Sequence, residues 1–251
     1  MPRRTNILIT GASSGLGAGM AREFAARGRN LALCARRTDE LDALREELLR
    51  AHPGIVVTVA PLDVNDHDQV FDVIYQLSGA LGGLDRVIVN AGISRGKPIG
   101  TGDFDANLAI AITNFVAALA QCEVAMEIFR DSGHGHLVVI SSIAGLRGMP
   151  GFQAYSATKA GVATLAEAIR ADTLATPIAV TTIYPGFIDS GLGGSAARKP
   201  FAVSTEKGVR AMVKAIEREP SRATVPAWPW VPVAFALRRL PLRFIAKTAA
   251  V

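Results

Sequence analysis

Short apolar runs alternate with longer amphipathic stretches along nearly the whole of this chain. The runs fall at about 5–10, 30–35, 55–61, 84–89, 136–141 and 178–184, with a further one at 222–226. Between them lie helix-like stretches at about 14–28, 38–51, 66–82, 103–131, 152–175 and 204–219. Runs such as Asn30-Leu-Ala-Leu-Cys-Ala35 are apolar at successive positions, so both faces of the strand must be buried. A parallel sheet with helices on each side meets that demand, and strict βαβ alternation predicts one doubly wound α/β domain. At 251 residues the chain suffices for one large core, and no linker or internal repeat divides it.

The first run ends in Thr10-Gly-Ala-Ser-Ser-Gly-Leu-Gly17, where a helix begins. Glycines at 11, 15 and 17 allow a tight turn and let a phosphate approach bare backbone at a helix N-terminus. Near the middle stands Tyr155-Ser-Ala-Thr-Lys159, with Ser142 thirteen residues upstream at a strand end. Four residues apart on a helix, the phenol and the amine share a face. An ammonium beside a phenol favours the phenolate, drawing a reference pKa of about 10 toward neutrality. Gly11, Arg36, Asp63, Asn90, Ser142 and Gly186 all follow predicted strand ends. In an open parallel sheet that edge is where ligands bind.

Together these motifs make the chain resemble the short-chain dehydrogenase/reductase family, in its single-domain Rossmann-type branch. T-G-x-x-x-G-x-G stands at 10–17, N-A-G at Asn90-Ala91-Gly92, the serine at 142, Y-x-x-x-K at 155–159 and the P-G turn at Pro185-Gly186. The resemblance covers about residues 5–190 in order and implies a parallel sheet of about seven strands. It implies that Gly11, Ser13, Ser14, Gly15, Leu16, Gly17, Asn90, Ala91, Gly92, Pro185, Gly186, Ile188 and Ser190 line a dinucleotide site. Asp63 and Val64 match the pair that contacts adenine, although Asp63 could equally cap the following helix. Tyr155 is implied as general acid and base, Lys159 as its partner and a ligand of the nicotinamide ribose, and Ser142 as the holder of the substrate oxygen. A proton-relay asparagine on the fourth helix is assigned to Asn114, with Asn107 the competitor.

The second strand decides the cofactor form. A carboxylate at its end would hold both ribose hydroxyls, but this chain reads Ala35-Arg36-Arg37. Guanidinium groups grip a 2′-phosphate through paired, charge-assisted bonds, so NADP(H) is expected. The competing reading is two solvated arginines at a helix start.

Charge and cysteines narrow the rest. The net charge of +5 comes from residues 221–251, which hold five basic groups and no acid; the remainder balances at 22 and 22. That distribution does not fit a nucleic-acid binder. Cys34 and Cys122 show no ligand spacing, the four histidines form no metal set, and the start leaves no room for a secretory leader; a cytoplasmic protein with free thiols is expected. No apolar stretch is expected to reach the roughly 18 residues of a membrane span.

Residues 1–225 are therefore read as the catalytic domain, with a substrate loop at 187–200, and 226–251 as a basic, aromatic extension with helices at about 232–240 and after Pro241. The extension could cover the pocket, join copies, or lie on an anionic membrane. The expected partner is a small carbonyl or alcohol, in a homodimer or homotetramer. A non-catalytic NADP-binding scaffold or redox sensor is the alternative. A sugar-nucleotide epimerase is disfavoured by the short chain and the glycine spacing.

Overall fold

The structure, a computed structural model, describes residues 4–94, 96–189 and 201–246. The expected alternation is present. Strand β1 (Asn6–Thr10) leads into α1 (Gly15–Ala25), β2 (Asn30–Ala35) into α2 (Thr38–Ala51), and β3 (Val57–Pro61) into α3 (His67–Leu81). Strand β4 (Arg86–Val89) leads into α4 (Phe104–Ala111) and α5 (Ala117–Ser132); β5 (Gly135–Ile140) into α6 (Gln153–Thr173). After β6 (Ile178–Pro185) come the two-residue strands β7 (Ile188–Asp189) and β8 (Val203–Ser204), then α7 (Thr205–Ile216) and β9 (Arg222–Val225). Helices α8 (Ala227–Arg239) and α9 (Leu242–Ala246) follow.

Seven strands form one sheet in the order β3-β2-β1-β4-β5-β6-β9, parallel throughout. Alternate residues of each strand feed opposite cores. Leu8, Ala32, Val87 and Leu137 meet α3, α5 and α6 on one face. Ile7, Ile9, Leu31, Ile88 and Val138 meet α1, α2 and α7 on the other. This is why the strand sequences carry apolar residues at successive positions instead of alternating with polar ones. Order reverses between β1 and β4, which opens a crevice at their carboxyl ends.

Local signals explain several boundaries. Asp66 caps α3 by accepting from Gln69 N, and Gly82, at φ +73°, ends it. Ser204 caps α7 through Lys207 N. The helix expected at 103–131 contains an unforeseen π turn, Ile112–Val116, between α4 and α5. The combined helical run Phe104–Ser132 is apolar enough, at a mean hydropathy of 1.7 over its best window, to meet the composition of a membrane span; half of that window is buried within this fold. Helix α8 begins at Ala227, five residues earlier than expected, with a non-helical kink at Trp228.

At the amino edge of the sheet lies an ionic cluster that the sequence pattern did not disclose. His136 is the second residue of β5 and fully buried. Its Nδ1 accepts from Arg86 Nε at 2.8 Å, and its Nε2 lies 2.8 Å from Thr181 Oγ1. Because the Thr181 hydroxyl donates to Pro220 O, the imidazole donates through Nε2 and is neutral. Arg86 also bonds Glu217 at 3.0 Å and Glu219 at 3.2 Å; Arg29 and Arg4 reach the same two carboxylates at 2.8 Å. The segment between α7 and β9 is thus tied to β4 through Arg86, to β6 through Thr181, and to the residues just before β1 and β2 through Arg4 and Arg29.

Candidate functional site

The carboxyl ends of β1 and β4 are stapled by Thr10. Its hydroxyl accepts from the backbone N–H groups of Asn90 at 3.0 Å and Ala91 at 3.1 Å. In return, Asn90 Nδ2 donates to Thr10 O at 2.9 Å. The glycine loop passes closely over this staple. A Cβ on Gly11, which sits at φ +64°, would lie 2.9 Å from Ala91 Cα; one on Gly17 would lie 2.3 Å from Gly11 O. Only glycine fits either position, and the closeness leaves the first turn of α1 with bare backbone toward the crevice. Gly15 also has positive φ, and Leu16 packs on the core. The loop's geometry suits an anionic phosphate.

Two arginines stand beside it with different duties. Arg37 donates to Ser13 Oγ at 3.0 Å and Ser14 Oγ at 2.6 Å, and pairs with Glu40 at 2.9 Å. It braces the loop against β2. Arg36 is exposed and has no hydrogen bond or ion pair among the described residues. Its guanidinium is available to a phosphate just beyond β2, where no carboxylate ends the strand. Asp63 closes a turn by accepting from Asn65 N at 3.1 Å, so the helix cap is Asp66 rather than Asp63. The side chain of Val64 is buried in the core.

The polar group converges from three elements. Ser142 follows β5 and starts a single 3-10 turn, accepting from Ala144 N at 3.2 Å. Its hydroxyl is close enough to the Tyr155 phenol to act on that group's titration. Lys159, one turn along α6, donates to Ile140 O at 2.9 Å and lies 5.9 Å from the Tyr155 ring centroid. Asn114 sits within the π turn, 1% exposed, with Oδ1 accepting from Ile93 N and Nδ2 donating to Ile93 O, both at 2.8 Å. A Cβ on Gly92 would fall 3.1 Å from Asn114 Oδ1 and 3.5 Å from Lys159 Nζ, so both groups border that glycine. Asn107 instead receives Lys97 N at 3.2 Å and belongs to the 96–97 loop.

Electrostatics correct one expectation. Burial depresses Lys159 to about 8, because an ammonium within packed protein is poorly solvated. Burial also raises the Tyr155 pKa, with the Ser142 hydroxyl opposing it in part. In the free protein the phenol is therefore protonated, not drawn toward neutrality by the lysine. A protonated phenol close to Ser142 can give its proton to an oxygen placed beside both.

At the other side of the crevice Gly186 N donates to Val225 O at 2.9 Å, following Pro185, the last residue of β6. The Ile188 side chain turns toward α7, packing over Gly208, rather than into the crevice. Ser190, and with it most of the 187–200 loop, lies outside the described residues. Three contributors escaped the sequence reading. Thr10 hid within a glycine motif. Ser141 positions α6 by donating to Lys159 O at 2.7 Å, although the dipeptide Ser141-Ser142 offered a signal. Trp230 packs on Gly186 and had no signal in the sequence beyond its proline-rich surroundings.

Comparisons with known proteins bear on this arrangement. The profile described as short chain dehydrogenase matches residues 5–200. An uncharacterised oxidoreductase of Mycobacterium tuberculosis is 53% identical over 247 residues, covering 98% of each chain. Another of Myxococcus xanthus is 38% identical over 220 residues, covering 87% of this chain and 86% of that one. Among solved structures, levodione reductase superposes with a TM-score of 0.81 at 24% identity, over 89% of this chain and 97% of that one. An alcohol dehydrogenase of the archaeon Thermococcus sibiricus, complexed with 5-hydroxy-NADP, gives 0.79 at 23%, over 89% and 96%. At those identities the structural likeness speaks to the fold alone.

Proposed function

The chain belongs to the short-chain dehydrogenase/reductase family of oxidoreductases, and from that premise we propose that it interconverts a carbonyl and a secondary or primary alcohol with NADP(H). Tyr155 is the general acid in reduction and the base in oxidation. The observation that carries this reading is the grouping of the Ser142 hydroxyl and the Tyr155 phenol beside buried Lys159, whose Nζ is held by Ile140 O and lies 5.9 Å from the Tyr155 ring centroid. When bound, the nicotinamide supplies or accepts hydride at the substrate carbon. The protein's own part is to hold the oxygen and move its proton. Ser142 and Tyr155 present two hydroxyls to one oxygen, and Tyr155 transfers its proton as negative charge builds there. The Lys159 ammonium steadies the phenolate left behind. Asn114, held by both polar groups of Ile93, keeps the backbone over Gly92 in a fixed path.

NADP(H) over NAD(H) is supported by the uncommitted Arg36 guanidinium and by the absence of a carboxylate at the end of β2. Two buried free thiols, Cys34 and Cys122, both pushed up to about 12 by burial, suit a reducing compartment such as the cytoplasm. An exposed apolar stripe on α4, the π turn and α5 (Phe104, Leu108, Ile112, Phe115, Leu119) supports a homodimer or homotetramer.

A panel of ketones, aldehydes and alcohols, followed through NADPH absorbance, tests the chemistry. Any substrate found must be turned over by the native protein and lost with Tyr155→Phe. Full activity in that variant, or equal use of NADH, would remove the corresponding part of the reading.

A further inference from the structure

Helix α8 has two apolar faces, and only one is used. Trp230, Ala234 and Leu237, at helical spacing, are buried toward the sheet. On the far side Val231 and Phe235 are 51% and 61% exposed, and Trp228, at the kink, is 80% exposed. The pattern continues past Pro241: Ile245 is buried, while Leu242 and Phe244 are 62% and 46% exposed. A solvated helix would carry polar groups at those outward positions.

The charges beside this face have one sign. The Arg239 guanidinium lies 3.8 Å from the Phe235 ring centroid, and that of Arg243 lies 5.2 Å from the Phe244 centroid. No acid occurs between Ser221 and the end of the chain. Glu167 of α6 borders the same small cleft as Arg238 and is paired with Arg222. Arg239 and Arg243 have no carboxylate partner among the described residues. Aromatic rings topped by cations suit the boundary between acyl chains and phosphates, where the ring is immersed and the guanidinium reaches the headgroup. A second copy fits poorly, because a two-fold contact would oppose the same arginines to one another. Next to the patch, Leu242 also walls an apolar hollow of about 680 Å³ shared with Leu146, Met149 and Pro150.

We propose that α8 and α9 form a docking surface for an anionic bilayer, holding the enzyme at the membrane with this hollow toward the lipid. The inference does not depend on the oxidoreductase chemistry, since it is read by binding alone.

Flotation of the full chain with vesicles tests it, using phosphatidylcholine containing about 30% phosphatidylserine against phosphatidylcholine alone. The native protein should float with the anionic vesicles and be released by about 0.5 M salt. Trp228→Ser/Phe235→Ser and Arg239→Gln/Arg243→Gln alter exposed groups, so each should keep the native melting temperature while losing about fivefold or more of the floated fraction. Equal flotation of native and both double variants would overturn the proposal, as would none by the native protein or as much on neutral vesicles. So would loss of an oligomer in the variants with flotation unchanged, which would make the face a contact between copies.

Discussion

The indole of Trp230 occupies the space that a side chain on Gly186 would need: a Cβ there would lie 2.2 Å from both Nε1 and Cε2 of the ring. The same ring meets Phe187 edge-on at 5.1 Å and Phe201 at 6.2 Å. A residue of the C-terminal extension therefore shapes the turn that follows β6 and both flanks of the segment between β7 and β8. Gly186→Ala must displace the ring and should cost about 1–3 kcal/mol; Trp230→Ala, which empties a buried site, should cost about 3–5 kcal/mol. In a double-mutant cycle by urea denaturation, the penalty of Gly186→Ala should largely vanish once Trp230 is alanine, since the clash is then gone.

Arg36 and Arg37 should separate cleanly. Arg36→Ala removes only the free guanidinium, so KM for NADPH should rise about 10–100-fold with NADH kinetics little changed. Arg37→Ala also releases Ser13 and Ser14 and should weaken both cofactors. Steady-state kinetics with each cofactor checks the contrast.

Lys159 should show a conflict between stability and activity. It titrates near 8 when folded, against its ordinary 10.5 when unfolded. Between those values the unfolded chain holds more protons, so this group adds stability as pH rises; below about 8 the fold bears a buried ammonium. Lys159→Met should therefore raise stability at neutral pH by about 1–2 kcal/mol, lose that advantage near pH 10, and abolish turnover. Thermal melts across pH, beside an activity assay, would show both.

His136 should make the protein acid-sensitive. Burial, with Arg86 and Arg4 nearby, holds its pKa well below the usual 6.5. As pH falls below about 6.5 the unfolded chain takes up a proton that the folded one refuses, and stability drops by up to about 1.4 kcal/mol per pH unit. His136→Gln should lower stability at pH 8 and flatten this slope, as measured by denaturant midpoints from pH 8 to 5.

What could be read in advance depended on how local each signal was. Apolar runs such as 30–35 disclose a buried parallel strand because every position must avoid water. The glycine spacing at 11–17 discloses a turn because no other residue allows that backbone path. Tyr155 and Lys159 share a face through helical geometry alone. None of these reports what approaches from elsewhere. The phenol's raised pKa follows from the atoms packed around it, which the four-residue spacing to the lysine does not report. Asn114 and Asn107 are told apart only by their partners, Ile93 for the first and Lys97 for the second. Asp63 and Asp66 differ only in which one meets the first turn of α3.

By itself the sequence determined the strand and helix periods, the glycine loop and the shared face of Tyr155 and Lys159, since these rest on spacings within one element or at its end, while Ser142 was joined to that pair by the order of the family's motifs. Tertiary structure alone decided that Arg37 braces the loop while Arg36 stays free, that His136 and Arg86 are locked to Glu217 and Glu219, and that Trp230 fills the space at Gly186. Each joins residues that are far apart in the chain, and their geometry exists only after the sheet has ordered its strands.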